Sequence, residues 1–407
     1  MSLRAACLWC ALIVTSQVLL AAEDPALREI RALLVPMRAK PIDPSNLRGA
    51  TPPLTVVKHK LRDWIERQLH EFHDKDEVRA FGHELNRQLR AAKLSCDWRA
   101  VNAEDGCPDR GSPGYLDEIR LNLDEALIVT TSVGITCGFD ESAYAYAFIK
   151  GRWSRFWESE TNNYVKTKYV PLNYLGLHLS SRDYVEMNAD PNVRLFLVLA
   201  RDPAFCESNW YNVYYRVWQL RIDRPEERLL LDGGELAFLG GSVDGVTSPN
   251  DVLIEYETSM TYTDFEVRPV IRHYVLRDGK LVREPPLALS PRDFVDEWMR
   301  TDWTVSSEWT SAGVNPAPLD RMHTKKNFEG GQYTKPLHCE KRPDHWQVGL
   351  YWYGDESKQF YFLVRWLPPY RFSMTGVSRH PWPGCTEEDP EADRPRSLFP
   401  IHSDQRW

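Results

Sequence analysis

Acidic and aromatic residues recur at one kind of position in this sequence, the connection after the second strand of each predicted four-stranded unit. The set contains carboxylates, an amide and a tryptophan: Asp140, Glu141, Glu207, Asn209, Trp210, Asp264 and Asp355. Carboxylate oxygens are ligands for hard cations such as Ca²⁺, and an aromatic ring can stack on a sugar face or a cation. These residues are therefore our candidate ligand-binding set.

Three interpretations of this set stay open. Alternate connections of an antiparallel meander fall at the same end, so these loops would converge on one face and bind a cation, a sugar or a basic peptide. A pair such as Asp140 and Glu207 could instead serve as the acid and base of a glycoside hydrolase. The third interpretation is that they are ordinary solvated acids, because loops are polar in any fold.

No local motif indicates catalysis or a bound cofactor. The sequence has no Gly-x-Ser-x-Gly elbow, no Ser-x-x-Lys and no phosphate-cradling glycine loop. His70 and His73 are three residues apart and could share a metal, but a third ligand is lacking nearby in sequence. His273 lies within a predicted strand and is interpreted as a hydrogen-bonded sheet histidine. We assign no catalytic residue, metal or cofactor.

The N-terminal segment predicts export. Residues 1–22 have a positive start at Arg4, an apolar stretch and small residues at the end, which is the layout of a cleavable signal peptide. The chain has no Asn-x-Ser/Thr site, which favours a bacterial secretory route to the periplasm or the cell exterior. The net charge of −8 argues against a nucleic-acid partner. We expect no membrane span after cleavage.

Six cysteines outside that segment are expected to pair as disulfides in an oxidising compartment. They are Cys96, Cys107, Cys137, Cys206, Cys339 and Cys385. Proximity in sequence suggests Cys96 with Cys107, and matching places in two successive units suggest Cys137 with Cys206. Cys339 with Cys385 follows by elimination.

The segment between the predicted signal peptide and the predicted sheet contains the predicted helices. Residues 23–54 are interpreted as a linker or surface arm with one short helical stretch. Residues 55–94 predict an α-helical hairpin, because apolar residues recur at helical spacing. The first stripe is Leu61, Trp64, Ile65, Leu69 and Phe72, and the second is Phe81, Leu85 and Leu89.

Residues 95–378 predict a β-rich domain, followed by a loop-like tail over 379–407. Short alternating runs form three sets of four strands and a partial fourth set. In the strand over 143–149 tyrosine and phenylalanine alternate with alanine, which indicates packing on both faces with one close neighbour. Glu235 to Leu239 is predicted to open the third set. Ser290 and Pro291 predict a helix start, with an apolar face of Phe294, Val295 and Trp298 docked on the sheet.

Repeated four-stranded units resemble the blades of a β-propeller, and a β-sandwich is the alternative. The sequence therefore predicts an exported, disulfide-bonded, mainly β protein. Its predicted role is non-catalytic binding or scaffolding, with a glycan or a cell-envelope protein as the partner. The alternative is a secreted carbohydrate hydrolase that uses paired carboxylates.

Overall fold

The computed structural model describes fifteen parts of the chain. These are residues 24–40, 51–73, 77–96, 112–123, 126–135, 138–160, 173–180, 190, 192–202, 210–224, 226–238, 241–260, 266–324, 331–352 and 355–387. The predicted signal segment lies outside them. Among the described residues the fold is mainly β, with 50% strand and 26% helix, as the sequence predicts.

Helices flank the strands in sequence at both ends of the first three sheets. The described helices are α1 (Pro25–Ala39), α2 (Thr51–Glu71), α3 (Val78–Ala91), α4 (Pro291–Arg300), α5 (Trp303–Ser306) and α6 (Pro316–Thr324). A 3₁₀ turn over Ser307–Trp309 follows α5. Helices α2 and α3 lie where the sequence predicts the two helices of a hairpin, and Leu61, Trp64 and Leu85 of the predicted stripes are buried.

The first sheet is an antiparallel meander in chain order, β1-β2-β3-β4. Its strands are β1 (Arg120–Leu123), β2 (Leu127–Ile135), β3 (Gly138–Ile149) and β4 (Arg152–Ser159). The second sheet repeats this order with β5 (Asn173–Leu179), β6 (Val193–Arg201), β7 (Trp210–Arg221) and β8 (Glu226–Phe238).

The third and fourth sheets continue the pattern. The third contains β9 (Val243–Thr247), β10 (Asp251–Ser259), β11 (Val267–Arg277) and β12 (Lys280–Arg283), again neighbours in chain order. At its last hairpin Asp278 and Gly279 have φ of 50° and 70°, the two positive values that a type I′ turn requires. The fourth contains β13 (Gly331–Tyr333), β14 (Leu337–Cys339), β15 (His345–Trp352), β16 (Asp355–Leu367), β17 (Arg371–Ser378) and β18 (Cys385–Glu387).

Successive layers share apolar cores. One face of the first sheet packs on α1, α2 and α3, and its other face packs on the second sheet. The second sheet packs on the third, and the fourth packs on α4, α5 and α6. The alternation in β3 accounts for one of these contacts: Tyr144 and Tyr146 enter the helical core, and Ala143 and Ala145 face the second sheet. Small side chains there allow the two sheets to approach closely.

Three sequence predictions need correction. Helix α1 buries Leu27, Ile30 and Leu34 in the helical core, so residues 23–54 are not only a surface arm. The predicted strand from Glu235 belongs to β8, and β9 opens the third sheet instead. Strand β8 continues through Gly233, where the missing Cβ leaves room for the Tyr215 ring. A Cβ at this position would lie 2.2 Å from that ring.

The third correction concerns the C-terminal tail. Cys385–Glu387 forms β18, which pairs with β14, so this part of the tail extends the fourth sheet. None of the sheets in the described parts of the chain is closed, and a propeller is not confirmed.

The predicted start of α4 is confirmed. The Ser290 side chain accepts a hydrogen bond from the Asp293 N–H, and Pro291 occupies the first turn, where its missing N–H is not needed. Phe294, Val295 and Trp298 are fully buried in the core of the fourth sheet. Trp309 is buried in the same core, as expected of a packing residue.

Candidate ligand cavity between the first two sheets

A cavity lies where the first strands of the first and second sheets approach each other. Its empty volume, which includes space open to solvent, is about 460 Å³. The lining residues come from β1, β2 and β5: Arg120, Leu121, Asn122, Ile128, Thr130, Tyr174, Leu175, Gly176 and Leu177.

The two walls of the cavity are formed by different sheets, β1 and β2 of the first and β5 of the second. Arg120 pairs with Thr130 and Asn122 with Ile128 across the β1–β2 ladder, so these four side chains share one face of the first sheet. The opposite wall is β5, whose pairing with β6 shifts register between Tyr174 and Gly176. Such bulges bend a strand and redirect its side chains, and they are frequent beside binding sites.

Glu141 contacts Arg120 in the wall that the first sheet contributes to the cavity. Its carboxylate accepts hydrogen bonds from Arg120 Nη2 at 2.5 Å, from Ser132 Oγ at 3.1 Å and from the Tyr174 backbone N–H at 2.6 Å. The glutamate is 6% exposed. It therefore joins three strands, β2, β3 and β5, to the arginine that lines the cavity.

Burial raises the pKa of the Glu141 carboxyl above its ordinary value, and the nearby Asp117 charge acts in the same direction. Arg120, the Tyr174 N–H and Ser132 oppose that shift because each stabilises the ionised form. One arginine, itself 30% exposed, does not offset the loss of water around the carboxylate. A carboxyl with a raised pKa in a concave site is a feature of many functional sites.

Arg120 has an unused hydrogen-bond donor. Its Nε atom is buried and has no acceptor, although the same guanidinium donates to Glu141 through Nη2. A buried donor without a partner costs about 1–3 kcal/mol.

Asp140 faces the other side of the first sheet. It forms an ion pair with Lys58 of α2 at 2.5 Å, and both side chains are buried. Successive residues of a strand point to opposite faces, so Asp140 contacts the helical layer while Glu141 contacts the cavity wall. These two neighbouring acids cannot act on the same bound molecule.

The other predicted ligand residues are not assembled with Glu141 in the described parts of the chain. Trp210 begins β7 and packs against Phe238 with ring centroids 5.4 Å apart. Asp355 begins β16 of the fourth sheet. Glu207, Asn209 and Asp264 lie outside the described residues, so their ligand-binding role stays a prediction.

Sequence reasoning missed Arg120 and Tyr174. Both lie on first strands of their sheets, whereas the candidate set was drawn from the connection after each second strand. The available signal for Arg120 was its alternation with Leu121 and Leu123, which assigns it to the opposite face from two apolar residues. A long-range contact with β5 could not be derived from that spacing.

A second concave region lies on the helical side of the first sheet. This cleft, between α2, β3 and β4, has an empty volume of about 620 Å³ including open solvent, and His70 is among its lining residues. Glu66 accepts hydrogen bonds there from Arg155 at 2.6 Å and Tyr146 Oη at 3.3 Å. No group of three or more His, Cys, Asp or Glu suited to a metal occurs in the described parts of the chain.

His273 lies in β11, and its Nε2 atom is 3.0 Å from Asp251 Oδ1. This contact agrees with its interpretation as a hydrogen-bonded sheet residue.

The disulfide between Cys339 and Cys385 is confirmed, and it joins β14 to β18. Cys96 is disulfide-bonded as well. Cys107, Cys137 and Cys206 lie outside the described residues, so their pairings stay predictions. A disulfide is compatible with an extracellular location.

Among the helices that the structure describes, none is both long and apolar enough to cross a bilayer. Neither a protein-family model nor a curated protein matches this chain. The cavity and its charged wall are therefore the basis for the functional conclusion.

Proposed function

We propose that this protein is a non-catalytic, extracytoplasmic binding protein that holds a small molecule in the cavity between β1, β2 and β5. The observation that carries the proposal is the cavity itself, whose wall combines the Arg120–Glu141 ion pair with apolar side chains of both sheets. Apolar residues such as Ile128 and Leu177 supply most of the remaining surface, and a few convergent polar groups among apolar walls are typical of ligand pockets.

Two features support the extracytoplasmic part of the proposal. The Cys339–Cys385 disulfide would persist only in an oxidising compartment. The signal-like composition of residues 1–22 predicts the route. Export to the periplasm or the cell exterior accounts for both.

We also propose a propeller-like arrangement of the sheets. Three complete meanders follow one another in chain order, and the first packs on the second and the second on the third through their faces. Face-to-face packing of successive four-stranded units is what propeller blades do. The cavity would then lie at the inner strands, where β1 and β5 open their respective units.

The hydrolase alternative has less support. Asp140, the acid next to Glu141, contacts Lys58 on the opposite face of the first sheet. A glycosidase needs two carboxyl groups on either side of one bond. Consumption of a bound sugar in a binding experiment would nevertheless favour the hydrolase.

The test compares ligand binding before and after the cavity is filled. A small-molecule library is screened against the full chain by thermal shift, and binding compounds are re-tested on Ile128→Trp. Its matched control is Val246→Trp, since Val246 lies on β9 and is 46% exposed. We expect at least tenfold weaker binding in Ile128→Trp and unchanged binding in the control.

Overpacking a core position costs about 1–3 kcal/mol, so folding of Ile128→Trp is checked by circular dichroism. Leu177→Trp, which fills the cavity from the opposite wall, is the second variant. Equal binding of every compound to all of these proteins would refute the cavity as the ligand site.

A further inference from the structure

A row of charged side chains joins α2 to β4 on the helical side of the first sheet. Arg62 of α2 contacts Glu158 of β4 at 3.4 Å and Glu160, just after β4, at 3.2 Å. Arg155 of β4 contacts the same Glu158 at 3.4 Å and Glu66 of α2 at 2.6 Å. Acid and base thus alternate along the row. The row ends at the cleft between α2, β3 and β4, which Arg155 and Glu66 line.

The alternation leaves a positive charge over at this cleft. Arg152 and His70 also line it, and both are exposed. Neither of them forms an ion pair with any residue that the structure describes. Among the described lining residues Glu66 is the one acid, and Arg155 already contacts it. An anionic group on a bound molecule would therefore give Arg152 the partner of opposite charge that the row does not supply.

The cleft also offers a free acceptor. Glu66 accepts hydrogen bonds from Arg155 and from Tyr146 Oη, and both go to its Oε1 atom. Oε2 accepts none from the described residues, and the side chain is 30% exposed. A carboxylate in an ion pair accepts hydrogen bonds and does not donate them, so the group that binds Oε2 must be a donor such as a hydroxyl. Half-buried Ser154 adds a hydroxyl that can donate or accept.

Size and polarity restrict the ligand further. The space that water can occupy in the cleft is about 260 Å³, and about 10–15 Å³ of such space admits one water. The cleft can therefore hold a molecule larger than a bare ion. The apolar and aromatic lining residues Leu69, Tyr146 and Trp153 are at most 4% exposed. A bound molecule would thus meet polar side chains and little apolar surface.

We propose that this cleft is a second binding site, for a small hydroxycarboxylate of the size of one sugar ring. Its carboxylate pairs with Arg152, and one of its hydroxyls donates to Glu66 Oε2. A sugar acid carries both groups on one ring. The site goes beyond the proposed function, because the cleft lies on the helical side of the first sheet and the cavity lies on the side of the second sheet.

Probes of one ring size test the two contacts on the full chain. Glucuronate and its epimer galacturonate carry a carboxylate and hydroxyls, glucose carries only hydroxyls, and cyclohexanecarboxylate carries only the carboxylate. An ion pair with an exposed arginine corresponds to about fivefold in affinity, and a hydrogen bond to a charged acceptor to about tenfold. We expect one of the sugar acids to bind about fivefold more tightly than glucose and about tenfold more tightly than cyclohexanecarboxylate in calorimetric titrations at pH 7.

Two variants assign the preference to the cleft. Arg152→Gln removes the charge, so the advantage of the sugar acid over glucose should fall to within about twofold, while glucose binding stays unchanged. Arg228→Gln is the matched control, because Arg228 is exposed on β8 of the second sheet and does not line the cleft. Glu66→Gln replaces the charged acceptor with a neutral one and releases Arg155, so the advantage of the sugar acid over cyclohexanecarboxylate should fall at least about threefold.

The outcomes separate this inference from the proposed function. Failure of both sugar acids to bind, or equal affinities for them and for cyclohexanecarboxylate, would overturn it. Equal losses in Arg152→Gln and Arg228→Gln would show that the net charge of the protein attracts the anion, and would overturn it as well. Ile128→Trp fills the cavity and should leave sugar-acid binding unchanged. The cavity is decided by the library screen, which does not depend on these probes.

Discussion

Two buried glutamates in this protein differ in the number of arginines that contact them. Glu297 of α4 contacts three arginines: Arg268 at 2.8 Å, Arg283 at 2.6 Å, and Arg272. Glu141 of β3 contacts a single arginine, Arg120, at 2.5 Å. Burial raises the pKa of a carboxyl in both places, so the difference between them lies in the number of positive charges.

The pKa values of the two carboxyls accordingly move in opposite directions. Burial dominates at Glu141, and its pKa is raised. At Glu297 the three arginines outweigh burial, and the pKa of the carboxyl is well below its ordinary value of 4.5. Three arginines supply enough Coulombic attraction to outweigh burial at Glu297, whereas one partly exposed arginine does not outweigh it at Glu141.

The contrast also separates an extended ionic network from an isolated ion pair. Glu297 and Asp296 join α4 to β11 through Arg268, and Arg272 extends the network to Glu235 of β8. This network of Glu297, Asp296, Arg268, Arg272 and Glu235 connects the second sheet, the third sheet and a helix, and we call it the clamp. The Arg120–Glu141 pair contains a single arginine that is 30% exposed, and it lies beside the cavity. The other polar contacts of Glu141 come from Ser132 and the Tyr174 backbone N–H.

Replacing Glu297 should have the largest effect. Glu297→Gln leaves Arg268 and Arg272 buried with too few negative partners, and breaking a buried ionic network costs about 3–5 kcal/mol. We expect the free energy of unfolding at pH 7, measured by urea denaturation, to fall by about that amount. Glu308→Gln is the matched control, because Glu308 is exposed and should change stability by about 0.5 kcal/mol or less. Equal effects in the two variants would contradict the clamp.

The same carboxylate should dominate the acid limb of the stability profile. A depressed pKa in the folded state means that Glu297 contributes stability above its ordinary value of 4.5, and that this contribution is lost as pH falls through the folded pKa. The stability difference between the unaltered protein and Glu297→Gln should therefore shrink below pH 4.5. Urea midpoints measured from pH 7 to pH 3 test this. A difference that stays constant with pH would show that the pKa of Glu297 is not lowered in the folded protein.

A smaller effect is expected from the tyrosine that completes the clamp. Tyr333 of β13 donates a hydrogen bond to Asp296 Oδ1 at 3.2 Å, within the buried network. Tyr333→Phe removes only that hydroxyl, and hydrogen bonds to charged groups contribute about 1.5–3 kcal/mol. Tyr351→Phe is the control, since its hydroxyl bonds the uncharged Gln332. A loss in Tyr333→Phe no larger than in the control would mean that the arginines alone hold Asp296.

Much of the fold could be predicted from local pattern. The alternation of Tyr144 and Tyr146 with alanines gave both faces of β3, and Ser290 with Pro291 gave the start of α4. These signals lie within a few residues of one another. The prediction that Glu235 opens the third set was wrong. Gly233 makes room for the Tyr215 ring, and such a glycine looks the same in sequence as one that makes a turn.

The site and the clamp could be predicted only in part. Glu141 was in the candidate set, but its partners Arg120 and Tyr174 lie 21 and 33 residues away. The clamp was missed because Asp296 and Glu297 look like the solvated face of an amphipathic helix. Their burial depends on Arg268 and Arg272, which occupy one face of β11 at a spacing of four residues. Spacing alone does not specify which helix meets that face.

The smallest effect should come from Glu141, and its sign with pH separates the two glutamates. A raised pKa in the folded state means that Glu141 contributes stability below its ordinary value of 4.5, and that this contribution is lost as pH rises through the folded pKa. Glu141→Gln should therefore cost less than about 1 kcal/mol at pH 7, because the neutral amide avoids burying a charge and Arg120 remains partly hydrated.

Urea denaturation across the same pH range tests this sign directly. The stability of the unaltered protein relative to Glu141→Gln should fall as pH rises from 4.5 to 7, whereas relative to Glu297→Gln it should rise over the interval in which Glu297 ionises. If both differences rose with pH, Arg120 would outweigh burial at Glu141. The two carboxylates would then be equivalent, and the cavity wall would be a second clamp that happens to lie beside open space.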